Sequence, residues 1–245
     1  MRSIVRIDGM TARVLLTGFE PFAGWSANPS GDAALALGRD PALRKAGVVT
    51  AVLPVHRTRA PARLAGLLRR LRPEALVLTG LAAGRTAICL ERIAINCWKR
   101  PSSVSESGSE GEGEGEGEGE GVRIDRAGPD GLFSTLPFAA SLAALRAGGA
   151  PVRVSDSAGT YCCNLLLYQA LRWAQAGELP GGGPSPRRVG FVHLPATTES
   201  LPPGRCEPCL AQSSMADGLT ALVRSLAGPA EASCNDGSRA GRRSR

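Results

Sequence analysis

Short apolar runs separated by helical stripes recur along this chain, and that alternation leaves it few folds. Arg13–Thr17, Val48–Leu53, Ala75–Thr79, Val152–Val154 and Val189–Leu194 read as strands. Several are near-continuous in apolar residues, the pattern of strands buried on both faces. Between them lie helical segments: one from about Pro29, with proline suited to a first helical position, one near Arg57–Leu71 striped by Leu64, Leu67, Leu68 and Leu71, and one at Phe138–Ala147. A helix after Cys163 carries Leu166, Leu167, Ala170, Leu171 and Ala174, and a last one spans Ser214–Leu226. The order predicts an α/β fold: a single three-layer α/β/α domain with a mainly parallel twisted sheet and right-handed crossovers. In such a sheet active groups gather at the carboxyl ends of strands, where Phe19, Cys163 and His193 fall.

At 245 residues and 43% hydrophobic, the chain has material for one sizeable core. We expect that domain to occupy residues 13–96 and 122–228. Residues 1–12 read as an N-terminal extension, with a possible second start at Met10. Residues 97–121 are rich in Ser, Gly and Glu, self-repelling and short of apolar side chains, and read as a disordered insertion. Residues 229–245 read as a basic disordered tail.

No apolar run approaches the roughly 18 residues of a membrane span, and the N-terminal decapeptide has no apolar secretory core. A cytoplasmic enzyme is expected. The formal net charge of +7 comes from dispersed arginines, with lysine only at Lys45 and Lys99. No aromatics interleave the arginines of the tail, so nucleic-acid binding is not expected. Seven cysteines without a secretion signal argue for reduced thiols. Cys206 and Cys209 have the spacing of half a zinc or redox site, but no second pair accompanies them. No metal and no cofactor is expected.

Three segments carry chemistry. In Ser155 to Asn164 a polar loop delivers Cys163 to the first turn of an apolar helix, where unpaired N–H groups and the helix dipole are expected to lower a thiol pKa. Cys162 points about 100° around the same helix and reads as packing. The strand Val189–Leu194 ends on His193, one of only two histidines. The other, His56, follows a strand in a basic context and reads as a surface residue. The run Ile88 to Asn96 buries Glu91, which needs a partner there. Cysteine, histidine and carboxylate are the parts of a nucleophile, a base and its orienter.

Four blocks of the chain resemble pyroglutamyl peptidase I, also called pyrrolidone-carboxylate peptidase. They are Thr17-Gly18-Phe19-Glu20-Pro21-Phe22 with Asn28-Pro29-Ser30; Gly80 through Asn96; Ser157 through Asn164; and Gly190 through Pro195. The resemblance implies a catalytic triad of Cys163, His193 and Glu91. A neutral lactam offers no charge to hold, so the family's substrate pocket is an apolar slot. By resemblance, Phe19 and Phe22 form its aromatic wall, Asn28 binds the lactam, and a backbone carbonyl near Leu81 accepts the lactam N–H. The oxyanion falls to the Cys163 backbone N–H, with Arg85 as a second donor. Glu20 competes with Glu91 for the carboxylate role, and the family pattern gives Glu20 a pocket-shaping one.

The implied partners are peptides with N-terminal pyroglutamate, and the implied assembly is a homo-oligomer, often a tetramer. Two features depart from the family pattern. The stretch after Asn96 is unrecognisable until Leu132, and Leu165 and Leu166 replace a polar residue often found after the cysteine. The alternative is a degenerate relative that binds pyroglutamyl groups without cleaving them.

Overall fold

A computed structural model describes residues 12–99 and 121–228. The expected N-terminal extension apart from Ala12, most of the expected insertion and the whole of the expected basic tail lie outside the described residues. In chain order the elements are β1 (Val14–Phe19), α1 (Pro29–Arg39), α2 (Pro41–Lys45), β2 (Val48–Leu53), α3 (Arg59–Leu71), β3 (Ala75–Leu81), β4 (Ile88–Glu91) and β5 (Ile93–Ile95). Then follow β6 (Gly131–Phe133), α4 (Phe138–Ala147), β7 (Val152–Ser155), α5 (Cys162–Ala176), β8 (Arg188–Leu194) and α6 (Gln212–Ala227).

Six strands form one sheet in the order β2-β1-β3-β8-β4-β7, and β5 pairs with β6 in a separate antiparallel ribbon. Neighbours in the main sheet are parallel except β4 and β8. The mainly parallel α/β expectation therefore holds, with one correction. β4 and β7 run against the other four strands, so the loop before Cys163 leaves its strand part-way down the sheet rather than at the shared carboxyl edge.

Each face of the sheet is covered, which is why β1 is buried at all six positions. Alternation along the strands sends Leu15, Phe19, Leu76, Leu78 and Phe191 into one core beneath α3 and α5. It sends Val14, Leu16, Val77, Val192 and Leu194 into another beneath α1, α4 and α6. Local signals set the helix ends. Asn28 caps α1 by accepting from the Ser30 N–H at 3.1 Å, with Pro29 following at the first helical position. Gly177 ends α5 in the left-handed region at φ 73°, a conformation a side chain would disfavour.

His56 is not a free surface residue. It is half-buried, and its Nδ1 accepts from the N–H groups of Thr58 (3.2 Å) and Arg59 (3.3 Å), capping the start of α3. Both ends of the expected insertion are tied down: Trp98 bridges to Val122 with backbone hydrogen bonds of 2.7 and 2.9 Å. Among the described residues no helix is long and apolar enough to cross a membrane.

Candidate active site

The site grows from strand register. Gly80 on β3 and Cys89 on β4 both lie directly beside His193 on β8, and Glu91 lies beside Phe191. The side chains of Cys89, Glu91, Phe191 and His193 share the face covered by α5. Glu91 is therefore the diagonal neighbour of His193, within reach of a long side chain. His193 Nδ1–H donates to Glu91 Oε1 at 2.7 Å, and both side chains are buried, at 4% and 0% exposure. A carboxylate only accepts, so this bond places the proton on Nδ1 and leaves Nε2 as the basic nitrogen.

Cys163 comes from above. A Cβ placed on Gly80 would lie 2.8 Å from Cys163 Sγ and 2.9 Å from the Phe191 ring. The missing side chain at Gly80 is thus the space the sulfur occupies, next to the residue that pairs with His193. Cys163 is the second residue of α5, whose N-cap Tyr161 supplies no side-chain capping bond. The backbone N–H of Cys163 faces its own sulfur.

Charge at the site departs from the expectation of a lowered thiol pKa. Burial pushes the Cys163 thiol up, reinforced by Cys162 and Glu91; Arg85 and the Cys163 backbone N–H oppose this and are outweighed. Burial also lowers His193, against the opposing pull of Glu91. Both shifts favour the uncharged form of the group concerned. The helix start is real, but desolvation at the sheet surface is the larger effect.

Arg85 is held by two acceptors. Its Nη1 meets Glu91 Oε1 at 2.9 Å and its Nη2 donates to the Ser157 carbonyl at 3.3 Å. It links the carboxylate to the loop leading to Cys163. Buried Glu91 thereby gains the charge partner it needs, although its Oε2 has no hydrogen-bond partner.

Of the four expected substrate-binding residues, Phe19 and Asn28 line one cleft that Phe22 and Leu81 do not line. Phe19 is 3% exposed and belongs to the core cluster against which Cys163 packs. Phe22 is half-buried in a turn at the sheet's edge. Asn28 is committed to structure: Nδ2 donates to the Glu20 carbonyl at 3.1 Å, and Oδ1 accepts from both Ser30 N–H and Oγ–H. Leu81 ends β3 beside Leu194, half-buried. A cleft of about 1130 Å³ reaches Phe19 and Asn28, but it runs between α1 and α3 past Arg63 and Arg70, away from Cys163 and His193.

Two further residues shape the site. Gly80 stands in the block Gly80 through Asn96, and its spatial role emerges only in the fold. Asn164, fully buried, accepts from the Ile95 N–H and donates to the carbonyls of Ile95 and Cys97, each at 2.9 Å, so it pins the start of α5 to the ribbon. A polar residue inside an apolar helical stripe was the available signal. Among the described residues no group of three His, Cys, Asp or Glu side chains is placed to hold a metal ion. Cys206 is exposed and Cys209 half-buried, both as free thiols.

The model of the pyroglutamyl peptidase family matches residues 12–227. The chain belongs to the pyroglutamyl peptidase family. It is 36% identical over 211 residues to a pyrrolidone-carboxylate peptidase of Clavibacter michiganensis, covering 86% of this chain and 91% of the relative. It is 39% identical over 186 residues to that of Chromobacterium violaceum, covering 76% and 79%. Among solved structures it is similar to pyrrolidone carboxyl peptidase from Thermococcus litoralis, with a TM-score of 0.71 at 28% identity, covering 87% of this chain and 92% of that one. Pyroglutamyl peptidase I of Bacillus amyloliquefaciens gives 0.71 at 27%, covering 88% and 97%. The family is one of peptidases, so hydrolysis is the chemistry in which the Cys163 site is to be understood.

Proposed function

We propose that this chain releases N-terminal pyroglutamate from peptides, with Cys163 as nucleophile, His193 as base and Glu91 as orienter. The observation that carries the reading is the 2.7 Å Glu91–His193 pair placed in register beside Gly80, over which Cys163 Sγ sits. Because both partners rest neutral, the proton moves from Sγ to His193 Nε2 as sulfur attacks the pyroglutamyl carbonyl, and Glu91 then faces the imidazolium it stabilises. The carbonyl oxygen gains the negative charge and is met by the Cys163 N–H at the open start of α5. Collapse expels the peptide amine, which takes the proton from His193 and leaves a thioester on Cys163. Water, deprotonated by His193, attacks the thioester; free pyroglutamate departs and the thiol regains its proton.

Arg85 supports this reading as a positioning residue rather than as an oxyanion donor. The apolar wall of Phe19 and Phe22 and the carbonyl near Leu81 remain the proposed lactam contacts, with Asn28 shaping the loop that carries them. We place the enzyme in the cytoplasm and expect a homo-oligomer; Phe133, 66% exposed on the β5–β6 ribbon, offers an apolar contact for such association. The test is hydrolysis of a chromogenic pyroglutamyl amide by the purified chain and by Cys163→Ala. Turnover is expected in the first and loss to background in the second. Saturable binding of 2-pyrrolidone without turnover in the native chain would instead mark a non-catalytic relative.

A further inference from the structure

The cleft of about 1130 Å³ between α1 and α3 follows the rim of the sheet at β2. Among the described residues β2 pairs only with β1, so the outer row of its main-chain N–H and C=O groups has no strand beside it. Val52 brings that rim into the cleft wall, where Leu35 and Leu67 add apolar surface. Gly66 keeps the groove open, since a Cβ placed there would meet nothing within 4 Å.

Charge is sorted across the cleft. Arg63, Gly66, Leu67 and Arg70 recur at the spacing of one helix face, so both guanidinium groups belong to the α3 wall. α3 carries four arginines and no carboxylate, and like charges four residues apart, as at Arg59 and Arg63, weaken a helix. Arg63 and Arg70 are exposed, and among the described residues neither has a hydrogen-bond or ion-pair partner. Glu20 and Asp32 stand on the opposite side. The fold also orders these groups along the cleft. β2 ends at Leu53 beside Phe19, and the chain leaves α3 for Ala75 beside Val14. Arg70, in the last turn of α3, therefore lies toward the far end of β1 from Glu20, and the six residues of β1 set those ends roughly 17 Å apart.

We infer that this cleft binds a short peptide with both termini free, extended along the outer edge of β2. Its main chain pairs with β2 as an added antiparallel strand. Its carboxylate meets Arg70, Arg63 donates to its carbonyls about two turns nearer the mouth, and its ammonium faces Glu20. Its apolar side chains pack on Leu35, Val52 and Leu67. A compact anion such as phosphate would use the arginines, yet it would face two carboxylates and leave the strand edge unpaired. Release of pyroglutamate frees peptides of this class, because it unblocks their amine. The site is separate from Cys163 and adds a binding function to the proposed chemistry.

The test is calorimetric titration of the full chain with the tetrapeptide Ala-Val-Ala-Leu, its C-terminal amide, its N-acetyl form and a copy methylated on every internal peptide nitrogen. Saturable binding of the free tetrapeptide is expected to the native chain and equally to Cys163→Ala, which separates this site from the catalytic reading. The amide, the acetylated form and the methylated copy should each bind about tenfold more weakly. Arg70→Met should weaken the free tetrapeptide about tenfold and leave the amide's affinity unchanged. The proposal is overturned by an absence of saturable binding, by the amide or the methylated copy binding as tightly as the free tetrapeptide, by undiminished binding in Arg70→Met, by lost binding in Cys163→Ala, or by inorganic phosphate displacing the tetrapeptide at equal concentration. The amide and methylated arms use native protein, so the outcome does not depend on a variant's folding.

Discussion

His193 and Cys163 are held neutral by the same burial, yet they shape stability at opposite ends of the pH scale. The unfolded chain protonates this histidine near its ordinary 6.5, whereas the folded chain resists until lower pH. The stability it contributes is complete above 6.5 and is lost as pH falls below that value. The folded thiol keeps its proton beyond the ordinary 9.0, so its contribution is complete below 9.0 and is lost as pH rises. Urea denaturation from about pH 5 to about pH 10 should show a plateau with declining flanks. The alkaline decline should be shallower in Cys163→Ala; identical alkaline flanks would contradict the buried-thiol account.

Arg85 acts on the same pair from outside. Its charge lowers His193, so Arg85→Met should move the acid limb of the pH–rate profile to higher pH. It should also reduce kcat by about tenfold to about a hundredfold through a displaced Glu91, with partial rescue in Arg85→Lys. An unshifted acid limb would show that Arg85 does not govern the base.

At the scale of elements, the helix start that carries Cys163 is held by a side chain that does no chemistry. Asn164→Ala removes three hydrogen bonds, those to the Ile95 N–H and to the Ile95 and Cys97 carbonyls; the Ile95 carbonyl keeps the Cys97 N–H at 2.8 Å. We expect about 3 kcal/mol of destabilisation in urea denaturation, with kcat falling as the α5 start loosens. A change below about 0.5 kcal/mol would mean that the ribbon is not anchored there.

Elements with long apolar stripes were legible from sequence: β2 and α4 fall at the residues their patterns predict. Direction was not legible. β4 and β7 are four residues each, and nothing in Ile88–Glu91 or Val152–Ser155 distinguishes a strand running with the sheet from one running against it. The three-residue strands β5 and β6 are too short for alternation to register. The five-residue α2 was missed too, although Asp40 before Pro41 signalled it, with Oδ1 accepting from Ala42 N–H at 2.7 Å. The identities of Cys163, His193 and Glu91 were readable as chemistry. The contact between Glu91 and His193, and the reversal of the thiol's pKa shift, required the depth of burial that only packing sets.

For the whole molecule, the catalytic domain is closed across its interruption. Trp98 and Val122 pair directly, so the chain on either side of residues 100–120 meets without them. Replacing those residues by a short Gly-Ser link should preserve melting temperature and kcat/KM within about twofold. A large loss of turnover with an intact fold would assign the segment a part in the site.

The central claim is that Cys163 carries the acyl group while His193 handles its proton. Acid-quenched turnover of a pyroglutamyl amide, followed by mass mapping of the cysteine peptides, tests it most directly. A pyroglutamyl adduct on Cys163 is expected, absent in His193→Ala under the same quench. An adduct on Cys162 or another cysteine, or undiminished turnover in Cys163→Ala, would contradict it.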